Sequence, residues 1–370
     1  MIPFNKPFTP PAGEFEAYIS DIWARGWFTN NGPLVQELEQ KLRAHLGLRN
    51  LLLTTNGTVS LQLAIRALDL KGDIITTPFS YVATTSSIVW QGCRPVFADI
   101  DPDTFNIDPE CIEDRITPAT TAILATHVFG NPCDVAAIEN IAKRHGLKVI
   151  YDAAHCFGTT MRGKSIFGWG DISTTSFHAT KLFQTAEGGA VMAHNKALNA
   201  RLDLMRNFGH VDYGEFRSVG INGKNSELHA AMGLCCLKYA DEILATRKQQ
   251  YNRYLKLLKG LDVRLQKPLP DSEPNGSYFA IAFHSEKDML LRKKRLEDAG
   301  IFPRRYFYPE LSSLDYVEKQ DTPIARKLAR TVLCLPMYHT LTDCEQARIA
   351  DILLGKRVKA VNGIGESCNV

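Results

Sequence analysis

The sequence predicts an α/β fold, a large domain built on a mostly parallel sheet, followed by a smaller α+β domain at the C-terminal end. Three observations carry this. Short, continuous apolar runs alternate with helical patterns from Leu51 to Val191, as in parallel sheets covered on both faces. The alternation stops near residue 225 and gives way to one long helical pattern, Leu228 to Leu258. Beyond that bridge, only a few further strands and helices remain. We therefore expect a large domain with an N-terminal arm over residues 1–240 and a small domain over 241–370. A chain of 370 residues is long enough for both.

Taken in order, Ile2 to Pro11 is rich in proline and should be extended or irregular. Glu14 to Trp23 reads as a helix. The stretch from Gly26 to Pro33 is dense in turn formers and holds Trp27, Phe28 and Thr29, either a lid over a site or a packed loop. Leu34, Val35, Leu38, Leu42 and Leu46 share one helical stripe, which Gly47 ends. Leu51 to Leu53 leads through Asn56, Gly57 and Thr58 into a helix over Val59 to Leu70. Ile74 to Thr76 leads through Phe79 and Tyr81 into a helix over Val82 to Trp90. Pro95 to Ala98, Thr121 to Ala125 and Leu147 to Tyr151 are further strands. Asp134 should cap a helix that ends at His145 before Gly146.

The run Asp171 to Phe177 alternates and is β-branched, so it reads as a strand, and Ala190 to Ala193 as another. Lys181 then falls on a loop between two strands. In the last third, Tyr278 to Phe283 and Thr331 to Leu335 are strands, with helices over Glu286 to Gly300 and Thr342 to Leu354. The tail after Gly355 should be loose.

Composition excludes several classes. Charged residues are 22% of the chain and 43 basic residues face 40 acidic ones, without a long basic block, so the footprint of a nucleic-acid binder is missing. No apolar run is long enough to span a bilayer, and the N-terminus lacks the apolar core of a signal peptide. Nine cysteines form no Cys-x-x-Cys pair, and Cys235 and Cys236 sit in an apolar helical pattern as buried thiols. We expect a cytoplasmic protein without structural zinc or another bound metal.

Three short stretches then acquire chemical meaning together. Gly57, Thr58 and Val59 open a helix after a strand, where free N–H groups and the positive dipole end suit a phosphate. Read alone, Thr58 would be an ordinary cap. Asp152 directly follows a buried strand, where open α/β sheets bind ligands, although it too could be only a cap. Lys181 alone could be a solvated surface charge. Jointly they meet the needs of pyridoxal 5'-phosphate. That cofactor requires an amine for covalent attachment, Lys181, and a carboxylate against its pyridine nitrogen, Asp152. Donors for its phosphate are available from the Gly57 to Val59 backbone, Thr58 and Ser176, and Tyr81 can cover its ring.

With these residues in hand, the chain resembles the DegT/DnrJ/EryC1/StrS family of sugar aminotransferases, within the aspartate-aminotransferase (type I) fold. The resemblance extends over nearly the whole chain. The family's Asp-Ala-Ala-(Gln/His) motif falls on Asp152 to His155 and implies that His155 meets the cofactor's 3-hydroxyl. Its Ser-Phe-(His/Tyr)-x-(Thr/Ser)-Lys motif falls on Ser176 to Lys181, with His178 standing behind the lysine. A segment from Gly220 to Ala231 matches one that reaches the partner subunit's site. It implies a homodimer with shared sites in which Asn222 touches phosphate. Three positions depart from the family pattern: Lys224 replaces arginine, Gln184 and Ala186 stand where glycines are frequent, and Ala179 replaces proline.

The resemblance implies a ping-pong transamination with glutamate as donor, in which Lys181 acts as general base and acid. Phe302 to Pro309 is similar to a segment found in members acting on dTDP-keto-6-deoxyhexoses. Arg305 and Tyr306 are therefore substrate candidates, along with Phe28 and Thr29, and C4 of the sugar is favoured over C3 for amination. Two other readings are a pyridoxal-phosphate enzyme acting on amino acids alone, and a non-catalytic regulator built on the same fold.

Overall fold

In a computed structural model of the chain, residues 1–356 are described; the tail expected to be loose, residues 357–370, lies outside the described residues. Seven strands form the central sheet: β1 (Leu52–Thr54), β2 (Asp73–Thr76), β3 (Arg94–Phe97), β4 (Thr120–Thr126), β5 (Lys148–Asp152), β6 (Ile172–Ser176) and β7 (Gly189–Ala193). Their spatial order is β1-β7-β6-β5-β4-β2-β3. All run parallel except β7, which pairs antiparallel with both β1 and β6. That reversal follows from chain connectivity, because β6 and β7 are joined by a hairpin rather than by a crossover helix.

Burial on two faces explains the apolar strands. Leu53, Ile75, Ile123 and Tyr151 enter one core, with α1 (Ala12–Arg25) and α2 (Pro33–Leu46) packed over it. Leu52, Ile74, Leu124, Ile150 and Val191 point the other way, under α3 (Gly57–Ala67) and α4 (Val82–Trp90). Asp134 caps α5 (Val135–His145) by accepting from Ala137 N–H at 3.0 Å, and Gly146 ends it at φ 66°. Helix α3 stops at Ala67, short of the expected Leu70, because the chain turns through Asp69 at φ 52°.

The long helical pattern after residue 227 is in fact two helices, α6 (Glu227–Leu237) and α7 (Ala240–Leu257). They are separated at Lys238 and Tyr239, and both of those side chains bind Glu14 of α1. Local periodicity does not register such a break, since both halves keep the same apolar spacing. The second sheet holds β8 (Arg264–Leu265), β9 (Phe279–Ala282) and β10 (Val332–Leu335), all antiparallel. Helices α8 (Glu286–Asp298) and α9 (Asp343–Leu353) back it. The N-terminal arm begins on this second sheet rather than the first: Ile2 bridges Ile301, and Ile2 is buried in the same core as Phe279 and Leu333.

Candidate active site

The strands of the central sheet end at a cavity of ≈ 760 Å³ lined by Asn56, Gly57, Thr58, Tyr81, Asp152, His155, Ser176, Lys181, Asn222 and Tyr306, among others. This is the edge where parallel sheets present ligands, since the loops there begin at carboxyl ends. Residues far apart in sequence are brought together by that single topological fact.

Lys181 lies in the β6–β7 hairpin, as the sequence predicts. Backbone bonds from Phe177 to Gly188 and from Ala179 to Ala186, each 2.8 Å, close the loop. Phe183 fixes it from beneath, 4.6 Å from Phe157 and 4.9 Å from Phe177 between ring centres. Ala186 takes φ 62°, a conformation glycine adopts at lower cost, and Gln184 compensates by accepting the Ala186 N–H. Burial pushes the Lys181 amine down to about 8, against the opposing pull of Asp152.

Asp152 is buried at the end of β5. Its Oδ2 accepts the Thr84 hydroxyl at 2.7 Å and its Oδ1 accepts the Ala154 N–H at 3.1 Å. Burial raises its pKa, while Thr84, Ala154 and Lys181 oppose that rise. Thr84, on α4, carried no sequence signal; it is one of several hydroxyl residues in that helix, and only the fold aims it at the carboxylate. His155 is buried with its ring parallel to Phe307 at 5.9 Å and 4.6 Å from Tyr278. Burial holds its pKa well below the ordinary value, so the imidazole is neutral, and its Nδ1 has no partner among the described residues.

The start of α3 shows which N–H groups are available. Asn56 Oδ1 accepts the Val59 N–H at 2.9 Å. The expectation for Val59 is therefore corrected: its N–H is spent on the cap, and it does not line the cavity. Gly57 and Thr58, earlier in the turn, keep theirs. A Cβ on Gly57 would come within 2.9 Å of the Ser176 Cβ, so glycine permits the close approach of these two elements.

Asn222 and Lys224 line the cavity in this chain. The reason is local: Thr55 N–H donates to Gly223 O at 2.9 Å, which fastens this segment beside β1. Lys224 Nζ donates to Asn222 Oδ1 at 2.9 Å and lies over the Phe208 ring at 4.9 Å.

Among the substrate candidates, Thr29 and Tyr306 line the cavity; Tyr81, expected over the cofactor ring, lines it too and is exposed. Phe28 does not: its ring packs edge-on against Trp23 at 5.1 Å, and its carbonyl accepts the Glu227 N–H. Arg305 is also corrected. It pairs with Glu286 and donates to the carbonyls of Ala329 and Arg330, on the far side of the segment. Its neighbour Arg304 lines the cavity instead, with its guanidinium 4.7 Å above the Tyr306 ring. Arg304 bridges Cys334 in extended backbone, where adjacent side chains project to opposite sides. His178, expected behind the lysine, lines the cavity as well, and Glu187 and His229 were not anticipated.

A buried carboxylate, a lysine with a lowered pKa, two free N–H groups at a helix start and an unpartnered neutral imidazole fit the donor set of pyridoxal 5'-phosphate. Comparison with known proteins points the same way. The DegT/DnrJ/EryC1/StrS aminotransferase family matches residues 12–354. A dTDP-4-amino-4,6-dideoxy-D-glucose transaminase of Shigella dysenteriae is 44% identical, covering 92% of this chain and 94% of that protein. One of Escherichia coli is 38% identical, covering 96% and 98%. A crystal structure of DesI with its TDP-sugar product superposes with a TM-score of 0.89 at 32% identity, covering 95% of this chain and 92% of that one.

Proposed function

The chain belongs to the DegT/DnrJ/EryC1/StrS aminotransferase family, and we propose that it moves an amino group from glutamate to C4 of dTDP-4-keto-6-deoxyglucose, giving dTDP-4-amino-4,6-dideoxyglucose. The enzyme is a pyridoxal-phosphate-dependent nucleotide-sugar aminotransferase; the particular sugar, donor and residue roles are our reading. One observation carries it: a single cavity holds Lys181, Asp152, a phosphate-binding helix start and a cationic, aromatic wall made by Arg304 and Tyr306.

When bound, pyridoxal phosphate supplies the electron sink and carries the amino group between the two substrates. Gly57 and Thr58 hold its phosphate through N–H groups and the α3 dipole, with Ser176 and Asn222 adding side-chain donors. Tyr81 covers the ring and His155 meets its 3-hydroxyl. Asp152, kept ionised by Thr84 and Ala154, keeps a proton on the pyridine nitrogen. Lys181 anchors the cofactor, and its amine, being largely neutral above pH 8, takes and returns the substrate proton. Arg304 takes the place first given to Arg305, as the guanidinium that meets the sugar diphosphate, with Tyr306 and Thr29 beside it.

We further propose a cytoplasmic homodimer, with a large and a small domain dividing near residue 240. The hairpin between Phe208 and Ile221 supports a partner contact, since it leaves Phe208, Val211, Tyr213, Phe216 and Val219 exposed. Among the described residues, no helix is long and apolar enough to cross a membrane.

The test is an absorbance titration of the purified enzyme. Glutamate should bleach the visible cofactor band and dTDP-4-keto-6-deoxyglucose should restore it, with NMR of the product placing nitrogen on C4. Bleaching without restoration by this sugar would discard the substrate, and nitrogen on C3 would discard the position.

A further inference from the structure

Behind Lys181 lies a second, much smaller chamber, which shares Ala154, His155, Ser176, Thr180 and Lys181 with the open cavity. The rest of its wall is Phe157, Leu182, Arg247, Ser277 and Tyr278, and it leaves ≈ 10 Å³ of room, about one water or one monatomic ion. Arg247, on α7, is only 4% exposed. Its Nη2 donates to the Ser277 carbonyl at 3.3 Å, while its Nη1 finds no acceptor among the described residues.

What surrounds this guanidinium is unusual. No carboxylate lines the chamber, and Arg247 forms no ion pair among the described residues, although the other deeply buried arginine, Arg206, pairs with Glu39 and Asp203. The polar neighbours, the Ser176 and Thr180 hydroxyls included, cannot supply a negative charge. Tyr278 is driven far up in pKa by burial and stays protonated. His155 is neutral, and the Ser277 hydroxyl is already committed to the His155 carbonyl at 3.1 Å. The other basic group facing the space is Lys181, whose amine burial pushes down to about 8 and Asp152 pulls back up. A buried guanidinium without a partner is strongly disfavoured, and a basic amine on the same chamber adds to the cost.

We propose that this chamber is a binding site for a small monovalent anion, chloride by size, held between Arg247 and Lys181. The orphan Nη1 donor points to an acceptor, the chamber's charge selects an anion, and its volume excludes carboxylates, phosphate and sulfate. Arg247 is the fixed element, because Ser277 and the Asn275 amide, which donates to the carbonyls of His155 and Phe157 at 2.8 Å each, lock the wall of the chamber in place. The site does not depend on which sugar the enzyme aminates. Its consequence for the lysine has a definite sign: an anion beside Lys181 favours the ammonium, opposing the effect of burial.

Bromide replaces chloride and scatters X-rays anomalously, so crystals of the full chain soaked in sodium bromide test the site directly. An anomalous peak between Arg247 and Lys181 is expected. In solution, sodium chloride should raise Tm by about 2 °C over sodium gluconate of equal ionic strength, at an anion concentration roughly ten times Kd. Arg247→Met should lose both effects. A chamber without anomalous signal, bromide confined to other positions, or a peak at high soak concentration with no chloride-specific change in Tm would each overturn the proposal. If Arg247→Met does not fold, the wild-type map and Tm comparison decide alone.

Discussion

Thr84 donates its hydroxyl to Asp152 Oδ2 at 2.7 Å, as the last link of a buried hydroxyl chain that runs from Thr126 through Ser80. Because Thr84 gives its proton to the carboxylate, Ser80 must donate to Thr84 at 2.8 Å, and Thr126 donates to Ser80 at 3.0 Å. Every proton in the relay points toward Asp152. The end of β4, the loop after β2 and helix α4 thus stabilise a negative charge at the end of β5, against the burial that raises its pKa.

Thr84→Val should therefore weaken the enzyme although Thr84 lies behind the carboxylate. A hydrogen bond to a charged group contributes about 1.5–3 kcal/mol, so kcat should fall roughly 10- to 100-fold. Asp152 acts in its charged form, and losing a donor raises its pKa. The acidic limb of the pH–rate profile should move to higher pH, and Thr84→Ser should restore it. An unmoved limb would refute the relay.

The lowered pKa of Lys181 should be visible without any substrate. Only the neutral amine attacks the cofactor aldehyde, so the rate at which apoenzyme takes up pyridoxal phosphate should rise with pH through a midpoint of about 8, rather than near 10.5. Lys181→Ala should neither show this profile nor turn over.

Arg304 and Arg305 make opposite predictions from adjacent positions. Arg304→Gln should raise the KM for the sugar nucleotide about tenfold or more, as expected for a lost charged contact to a diphosphate. Arg305→Gln should leave that KM unchanged, since its guanidinium is engaged with Glu286 and two carbonyls. Steady-state kinetics of the two variants would separate them.

Glu227 is fully buried, and its carboxylate accepts the N–H groups of Leu34 at 3.1 Å and Val35 at 2.9 Å, while Arg25 approaches it at 3.3 Å. It caps α2 from a distant part of the chain, because Gly32 brings no capping side chain of its own. Glu227→Ala should cost about 2–4 kcal/mol in urea unfolding, as two buried donors lose their acceptor. Glu227→Gln should cost less, since one acceptor oxygen remains.

Most elements of the chain could be read from local pattern. Lys181 was legible as a hairpin residue because a β-branched strand, a glycine pair and a second apolar run leave few alternatives. Asp152 was legible because it follows a strand buried on both faces, and such strands end at the ligand edge of the sheet. Thr84 and Glu227 were not, since each acts on a residue remote in sequence, and nothing in their own neighbourhood marks them. The break at Lys238 and Tyr239 was hidden for a related reason, being tied to Glu14 on another helix.

By itself, the sequence determined the alternation of strands and helices, the kind of sheet, and which lysine and aspartate stand at strand ends, because all of these follow from short-range periodicity and turn chemistry. Tertiary structure alone decided the order of strands, the side to which Arg304 and Arg305 project, the donors that hold Asp152, and the fastening of the Asn222 segment beside β1. Those depend on register and on contacts between distant segments. A side chain's direction in extended backbone reverses with every residue, so one bridge to Cys334 was enough to exchange the roles of two neighbouring arginines.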